Sequence, residues 1–209
     1  MKMFSFMGRR FYSFSDFYFR VILYIRMNIR RDGFFHKRYY LRPFVKQIID
    51  HFGDAELVGA EIGVWRGWNS KLILKNLNMA QLYMIDPYDM GGGKAGCDYD
   101  KRIAWDNLLY WVEEKGNANF VYKKSLDVDF SKDMFDFVYL DGEHKYSTVF
   151  AELRKYYGYI VPGGLLGGHD IDQVQVAMAV VDFCKEYGLE YSMQDRDFWI
   201  WKPISGEVK

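Results

Sequence analysis

The sequence predicts an α/β fold: a doubly wound, seven-stranded sheet that is mainly parallel, ends in an antiparallel C-terminal hairpin and carries helices on both faces. Three observations predict this fold. Strand-like and helix-like segments alternate from residue 41 onward. The last two strand-like segments are joined only by the short polar turn 195–197, as in a hairpin. Half of the 209 residues are apolar, which is enough material for one sizeable core.

The spacing of apolar residues assigns each element in turn. Helical spacing occurs in five segments: Leu41–Phe52, Ser70–Leu77, Lys101–Glu114, Tyr146–Tyr157 and Val174–Tyr187. Strand-like runs occur in seven: Glu56–Ile62, Leu82–Asp86, Phe120–Tyr122, Phe135–Asp141, Leu165–Gly168, Glu190–Gln194 and Phe198–Trp201. Segment 87–100 contains three consecutive glycines and is predicted to be a loop, either a lid over the substrate or a simple flexible connection. We therefore expect one domain over residues 41–209.

The first 40 residues are set apart from this domain by their charge. They hold nine Lys or Arg against two Asp, a charge of +7 that leaves −7 for the rest of the neutral chain. Apolar side chains fall on one stripe of a predicted helix, formed by Tyr18, Val21, Ile22, Ile25 and Ile29. Two interpretations stay open. The stripe packs on the domain or on a second subunit of a homo-oligomer, or this basic arm contacts a membrane surface or an acidic partner.

The location of the protein is predicted from features that the sequence lacks. No stretch has the apolar length of a spanning helix or the pattern of a cleavable signal. Cys97 and Cys184 are the only cysteines, so neither a disulfide framework nor a C-x-x-C site for zinc is expected. No motif supports a nucleic-acid partner. A cytoplasmic protein is expected, with membrane contact limited to residues 1–40.

The turn 61–67 after the first predicted strand of the domain is the candidate cofactor loop. In an open α/β sheet, ligands bind beyond the carboxyl ends of the strands, at the point where the strand order reverses. Gly63 and Gly67 allow the backbone to turn sharply and to approach a ligand closely. Glu61 places a carboxylate beside a cationic ligand group. Asp86, nineteen residues after Gly67, ends the second strand, where it can accept hydrogen bonds from both hydroxyls of a ribose.

Polar residues after the fourth and fifth strands form the candidate chemical site. Asp141 ends one strand, His169 and Asp170 end its neighbour, and adjacent strands lie about 5 Å apart. These three side chains can therefore meet and hold a divalent cation, with Mg²⁺ favoured by carboxylates and Mn²⁺ more tolerant of imidazole. His144 stands three residues beyond Asp141 and is the candidate general base, because imidazole titrates near neutral pH. Together with Asp141, it is the predicted catalytic group.

Several of these segments resemble known methyltransferase motifs. The seven-strand plan is that of class I S-adenosylmethionine-dependent methyltransferases, and the turn resembles their E-x-G-x-x-x-G motif, with Trp65 where glycine is more common. Segments 141–146, 161–164 and 167–170 resemble the D-G-x-H-x-Y, P-G-G and G-H-D series of a family that includes macrolide-sugar O-methyltransferases.

The resemblance implies a Rossmann-like fold and a set of cofactor contacts. The implied cofactor is S-adenosylmethionine, held by Glu61, Gly63, Trp65, Gly67 and Asp86. Its adenine is expected to contact Ser125 or Asp127, which follow the third strand of the domain.

The predicted function is metal-assisted O-methylation of a hydroxyl on a sugar or small metabolite, in which the cation lowers the pKa of that hydroxyl. Two alternatives stay open. The first is a metal-independent methyltransferase in which the same polar cluster binds substrate or holds loops. The second is a non-catalytic scaffold that binds the cofactor or a nucleotide and is attached through its basic arm.

Overall fold

The computed structural model describes the backbone of residues 4–6, 9–11, 41–89 and 94–204, and the side chains of residues 41–89 and 97–204. The chain forms two compact units, Met1–Tyr40 and Leu41–Lys209. In the first unit, strands β1 (Phe4–Phe6) and β2 (Arg9–Phe11) pair as an antiparallel hairpin. The predicted helical stripe of the arm lies outside the described residues. Its role as a membrane, partner or subunit contact therefore stays a prediction.

The second unit is built on one seven-stranded sheet. Its strands are β3 (Leu57–Ile62), β4 (Met79–Ile85), β5 (Ala118–Val121), β6 (Phe135–Leu140), β7 (Ile160–Gly168), β8 (Ser192–Gln194) and β9 (Asp197–Trp201). The order across the sheet is β5-β4-β3-β6-β7-β9-β8. Strands β3 to β7 pair in parallel, whereas β9 is antiparallel to both β7 and β8. The predicted Rossmann-like sheet with its C-terminal hairpin is confirmed.

Helices cover both faces of this sheet. They are α1 (Pro43–Phe52), α2 (Trp68–Asn76), α3 (Lys94–Leu109, continued by a π-helical turn at Tyr110–Glu114), α4 (Tyr146–Tyr157) and α5 (Val174–Tyr187). Strand β6 shows how two cores form, because Val138 and Leu140 face the layer under α4 and α5 whereas Phe137 and Tyr139 face the other layer. Among the described residues, no helix is long and apolar enough to span a membrane.

The prediction of a loop over residues 87–100 is wrong for its second half, because α3 begins at Lys94. The apolar stripe of this helix runs back from Leu108 through Ala104 to Cys97, and all three side chains are buried. Burial of that extra turn offsets the cost of Gly96 inside a helix. The extension was not visible from sequence because Cys97 is the single residue that the stripe has within positions 94–100.

Strand β7 also begins earlier than predicted, at Ile160. It includes Pro162, which lacks a backbone donor and is tolerated in a sheet at irregular positions. The pairing register between β6 and β7 shifts between Phe135 and Phe137, opposite this part of β7. The proline is therefore accommodated by an irregularity rather than by ending the strand.

Candidate active site

The carboxyl ends of the strands bring the predicted site residues to one edge of the sheet. The strand order reverses between β3 and β6, since β4 and β5 extend to one side and β7 to the other. The backbone ladder continues past the strand ends. Gly63 N donates to Ile85 O at 2.9 Å, and Asp141 N donates to Ile62 O at 2.7 Å. This edge is where an open α/β sheet binds its ligands.

The cofactor loop, residues 61–67, depends on its two glycines. Gly63 has a φ of 84°, and a Cβ placed on it would lie 2.1 Å from the carbonyl oxygen of Asp141. Gly67 has a φ of 71° and caps α2, and its Cβ would lie 2.6 Å from Leu108 Cδ1. Both the backbone conformation and the space require glycine at these positions. The loop is thus packed directly against Asp141, the residue that follows β6.

Asp86 holds this loop from the end of β4. Its Oδ2 accepts hydrogen bonds from the backbone N–H groups of Val64 at 3.0 Å and Trp65 at 2.9 Å, and its Oδ1 accepts one from Tyr88 N at 2.8 Å. Sequence reasoning predicted Asp86 as the ribose acceptor but did not foresee these contacts with the loop. The carboxylate therefore shapes the loop, and its contact with a ribose stays a prediction.

Glu61 lies beneath the loop and is only 1% exposed. Its carboxylate accepts hydrogen bonds from Asn69 Nδ2 at 2.9 Å and from Ser70 Oγ, both in the first turn of α2. Burial raises the pKa of Glu61 to about 7, although these two hydrogen bonds oppose the shift. The Oδ1 atom of Asn69 is buried and has no hydrogen-bond partner among the described residues. The Glu61 carboxylate and the Asn69 amide oxygen thus provide two hydrogen-bond acceptors next to the loop.

Ser125 and Asp127 form a short 3-10 turn after β5. The side chain of Ser125 is buried and its Oγ donates to Glu152 of α4, while Tyr156 donates its hydroxyl to Ser125 O at 2.9 Å. Asp127 is exposed. Of the two residues predicted to contact adenine, Ser125 anchors the turn to α4 and Asp127 has the solvent-facing side chain. The adenine contact itself stays a prediction.

The Glu152 carboxyl beneath this turn gives a pH-dependent prediction. Burial raises the pKa of Glu152 to about 7, so ionising it in the folded protein costs free energy that the unfolded chain does not pay. That cost develops as pH rises from about 4.5 and is complete above about 7. Glu152→Gln keeps an acceptor for Ser125 and removes the charge. We expect the variant to exceed the wild type in free energy of unfolding by roughly 2 kcal/mol at pH 8 and to differ little at pH 5.

Urea denaturation at the two pH values measures this difference. Glu143→Gln is the matched control, because Glu143 is exposed and Lys145 and Thr148 lower the pKa of its carboxyl. The control should show no gain at pH 8. Equal stability of Glu152→Gln and the wild type at pH 8 would contradict the prediction.

The chemical cluster at the ends of β6 and β7 contains Asp141, His144 and Asp170. Ligand atoms of these three residues all lie within 4.8 Å of one another. His144 Nε2 is 2.7 Å from Asp170 Oδ2, although the direction of approach is not that of a hydrogen bond. His144 Nδ1 lies 3.3 Å from Gln173 Nε2. An imidazole nitrogen and carboxylate oxygens that converge without bonding to one another can serve as ligands of one ion.

His169 lies beside both carboxylates of the predicted metal set. Its Nδ1 lies 3.0 Å from Asp170 Oδ1 and 3.7 Å from Asp141 Oδ1, and its Nε2 lies 4.0 Å from Asp197 Oδ1. The three converging residues share Asp141 and Asp170 with the predicted metal set and add His144. The role of His169 as a ligand stays a prediction.

Two arginines that sequence reasoning missed contact the same carboxylates. Arg42, just before α1, lies 3.0 Å from Asp141 Oδ2 and also donates to the hydroxyl of Tyr139. Arg196, on the turn between β8 and β9, donates to Asp170 Oδ1 and contacts Asp172 through its Nε at 3.0 Å. Each cluster carboxylate therefore has one oxygen neutralised by a guanidinium, which leaves Asp141 Oδ1 and Asp170 Oδ2 for other partners.

The electrostatic environment separates the two carboxylates. Burial raises the pKa of Asp141, with opposition from Arg42 and His169. Burial also acts on Asp170, but its pKa is lowered because His169, His144 and Arg196 outweigh burial. Asp197, the third buried carboxylate of the network, accepts hydrogen bonds from Tyr139 Oη at 2.8 Å and Phe44 N at 3.1 Å. The carboxylate most strongly held as an anion is therefore Asp170, beside His144.

Comparison with known proteins identifies the family of the chain. Residues 60–171, just over half of the chain, match a family model described as a methyltransferase domain. A curated relative, Uncharacterized protein R132 of Acanthamoeba polyphaga mimivirus, is 21% identical over 154 residues, which are 70% of this chain and 66% of the relative. The chain thus spans just under two thirds of that relative's length.

Solved structures share the fold at low sequence identity. A protein from Corynebacterium glutamicum matches with a TM-score of 0.61 at 15% identity, over 94% of each chain. A SAM-dependent O-methyltransferase from Thermotoga maritima matches with a TM-score of 0.59 at 12% identity, over 87% of this chain and 71% of the other. The O-methyltransferase NovP matches with a TM-score of 0.57 at 15% identity, over 79% and 78%. The chain belongs to the methyltransferase-domain family and has the Rossmann-like fold of S-adenosylmethionine-dependent methyltransferases.

Proposed function

We propose that the protein is an S-adenosylmethionine-dependent methyltransferase that methylates a hydroxyl of a sugar or small metabolite with the help of a divalent cation. The observation that carries this proposal is the convergence of Asp141, His144 and Asp170 within 4.8 Å, next to the loop that packs on Asp141. Family membership supports methyl transfer, and the two O-methyltransferases among the structural neighbours support a hydroxyl as the acceptor.

The loop fits the cofactor in charge and in shape. S-adenosylmethionine, when bound, supplies a methyl group on a positively charged sulfur. Glu61 and the unpartnered Oδ1 of Asn69 offer acceptors for its ammonium group. Gly63 and Gly67 let the backbone approach it closely, and Asp86, which follows β4, is the candidate acceptor for the ribose hydroxyls. On the exposed side of the next turn, Asp127 is the candidate contact for the adenine.

The cluster fits a small divalent cation such as Mg²⁺ or Mn²⁺. Asp141 Oδ1, Asp170 Oδ2 and His144 Nε2 would hold it, because the other carboxylate oxygens already contact Arg42 and Arg196. A cation at this position supplies a Lewis acid that lowers the pKa of an acceptor hydroxyl. The arginines keep both carboxylates oriented, so that the remaining oxygens face the same point.

An open cavity beside the cluster suits a hydroxyl-rich acceptor. It has a volume of about 410 Å³ and is lined by Glu143, His144, Lys145, Gln173, Val174 and Gln175. Amide and charged groups on these residues can donate to and accept from hydroxyls, whereas no Phe, Tyr or Trp is among the described residues that line the cavity. Polar lining of this kind favours a sugar over a flat aromatic acceptor.

A metal-independent methyltransferase is the second candidate. Arg42 and Arg196 already neutralise one oxygen of each cluster carboxylate, so charge balance alone does not require a cation. In this candidate His144 accepts the proton of the acceptor hydroxyl, and Asp170, 2.7 Å from Nε2, stabilises the resulting imidazolium. The two candidates therefore assign His144 different roles, as a metal ligand or as the general base.

An acceptor screen with metal control tests the proposal. The full chain is incubated with S-adenosylmethionine and a panel of sugars and hydroxylated metabolites, and S-adenosylhomocysteine release is measured with and without a chelator. We expect turnover that the chelator abolishes and that Mg²⁺ or Mn²⁺ restores. Mass spectrometry of the product locates the methyl group on oxygen.

Calorimetry with S-adenosylhomocysteine and with NAD accompanies the screen. Undiminished turnover in the chelator would eliminate the cation and select the metal-independent candidate. Failure to bind S-adenosylhomocysteine would eliminate both enzymatic candidates, and binding of NAD alone would overturn the assignment of the cofactor.

A further inference from the structure

Trp65 occupies an unusual position in the cofactor loop. Its φ of 48° places a bulky residue in the left-handed region, a conformation that costs an L-residue about 1–2 kcal/mol. Its side chain is nevertheless 55% exposed, so burial of the ring does not compensate for the strain. Strain that is maintained at a binding site requires surrounding contacts that hold it.

Contacts from outside the loop hold Trp65 and its neighbour. Asp100, in the second turn of α3, accepts hydrogen bonds from Trp65 Nε1 at 2.9 Å and from Arg66 Nε at 2.7 Å. Tyr88 donates its hydroxyl to Trp65 O at 2.9 Å, and Asn107 Nδ2 donates to Arg66 O at 3.0 Å. The Arg66 guanidinium also lies 4.7 Å from the centre of the Trp65 ring and covers one face.

The two oxygens of Asp100 thus bind two successive side chains at once. Its carboxylate is 22% exposed and the Arg66 guanidinium 24%, so both charged groups are largely shielded from water. Asp100 holds the edge of the indole through its Nε1–H group, and Arg66 covers one face of the ring. The opposite edge of the loop is held by Asp86, so residues 64–66 are held from β4 on one side and from α3 on the other.

We propose that Asp100 is a positioning residue for cofactor binding, which fixes Trp65 as a preformed wall of the cofactor site; this inference rests on the proposed function. Helix α3 therefore takes part in the site through a carboxylate that does not itself touch the cofactor. A loop that is already ordered loses less conformational entropy when its ligand binds, so the contact raises affinity for the cofactor. It leaves the chemical step unchanged.

Calorimetric binding of S-adenosylhomocysteine to the full-length protein tests the proposal. We expect Asp100→Asn to weaken binding about 10-fold, because an amide has one acceptor oxygen and cannot accept from both Trp65 Nε1 and Arg66 Nε, so the indole is no longer fixed. Asp98→Asn is the matched control, with the same chemical change at an exposed position of the same helix, and it should bind as the wild type does. Trp65→Phe removes the indole N–H donor and should weaken binding by a similar factor.

A double-mutant cycle separates positioning from a general loss of structure. If Asp100 acts through Trp65, the Asp100→Asn, Trp65→Phe double variant should bind about as weakly as either single variant. With an acceptor from the screen, Asp100→Asn should raise the KM for S-adenosylmethionine and leave kcat unchanged. Wild-type affinity of Asp100→Asn, or additive effects in the cycle, would overturn the proposal. Should Asp100→Asn fail to fold, Trp65→Phe against wild type still decides, because unchanged affinity there overturns it.

Discussion

Asp141→Asn is expected to lower turnover by about 10³-fold while leaving the affinity for S-adenosylhomocysteine within about twofold of the wild type. Asparagine has the shape of aspartate, and Arg42 keeps Tyr139 as a partner, so the fold around β6 should be preserved. The variant removes the negative charge that faces the cluster. Turnover is followed as S-adenosylhomocysteine release, and Mn²⁺ binding, measured by electron paramagnetic resonance, should fall in parallel.

Asp172→Asn is the control for Asp141→Asn. Asp172 carries an exposed carboxylate that contacts Arg196 near the same cluster but does not belong to the three converging residues. It should retain most of the wild-type turnover. Wild-type activity in Asp141→Asn would remove Asp141 from the chemistry, whereas loss of cofactor binding together with turnover would place it in the cofactor site instead.

Asp86→Ala is expected to weaken binding of S-adenosylhomocysteine about 100-fold. The substitution removes the acceptor for three backbone N–H groups, of Val64, Trp65 and Tyr88, and with it the predicted acceptor for the ribose. Hydrogen bonds to a charged group each contribute about 1.5–3 kcal/mol, and one such contribution already corresponds to about 10-fold or more in affinity. Calorimetry at constant pH measures the effect directly.

Asp89→Ala controls for the loss of a carboxylate from the same segment. Asp89 is exposed, and we expect its removal to leave affinity unchanged. If Asp86→Ala instead binds S-adenosylhomocysteine normally and loses turnover, while Asp141→Asn loses binding, the cofactor and chemical sites have been exchanged. Asp86→Ala and Asp141→Asn thus test which residues belong to the cofactor site and which to the chemical site, as well as the role of each residue.

Most of the fold was predictable because its signals are local. The bounds of α4 and α5 match the predicted segments, since their apolar residues repeat at helical spacing and turn residues flank them. Strand β7 was harder, because Pro162 and the following glycines mimic a turn while belonging to an irregular strand. The start of α3 was missed because the glycine-rich sequence before it hides a short extension of the buried stripe.

The site was predictable only where it follows directly from strand ends. Asp141 and Asp170 meet because β6 and β7 are neighbours, but which histidine joins them depends on side-chain directions that spacing does not determine. Arg42 contacts Asp141 although the two residues are nearly a hundred positions apart in the sequence, and no local sequence pattern predicts such a contact.

Arg196 had a usable signal, because the predicted hairpin places its turn beside the end of β7. The observed register pairs Gly168 with Phe198, so the residues just before β9 lie opposite those just after β7. A basic residue in that turn was therefore a candidate partner for Asp170.

The backbone contact between Gly63 and Asp141 links the two halves of the cleft thermodynamically. A methyl group on Gly63 would overlap the Asp141 carbonyl oxygen, so the two backbone segments are in close contact and a shift of one disturbs the other. A ligand that orders the loop therefore also orders the backbone that follows β6. We expect cofactor and acceptor each to change the other's dissociation constant by the same factor. Coupling of this kind requires no hinge between the two binding positions.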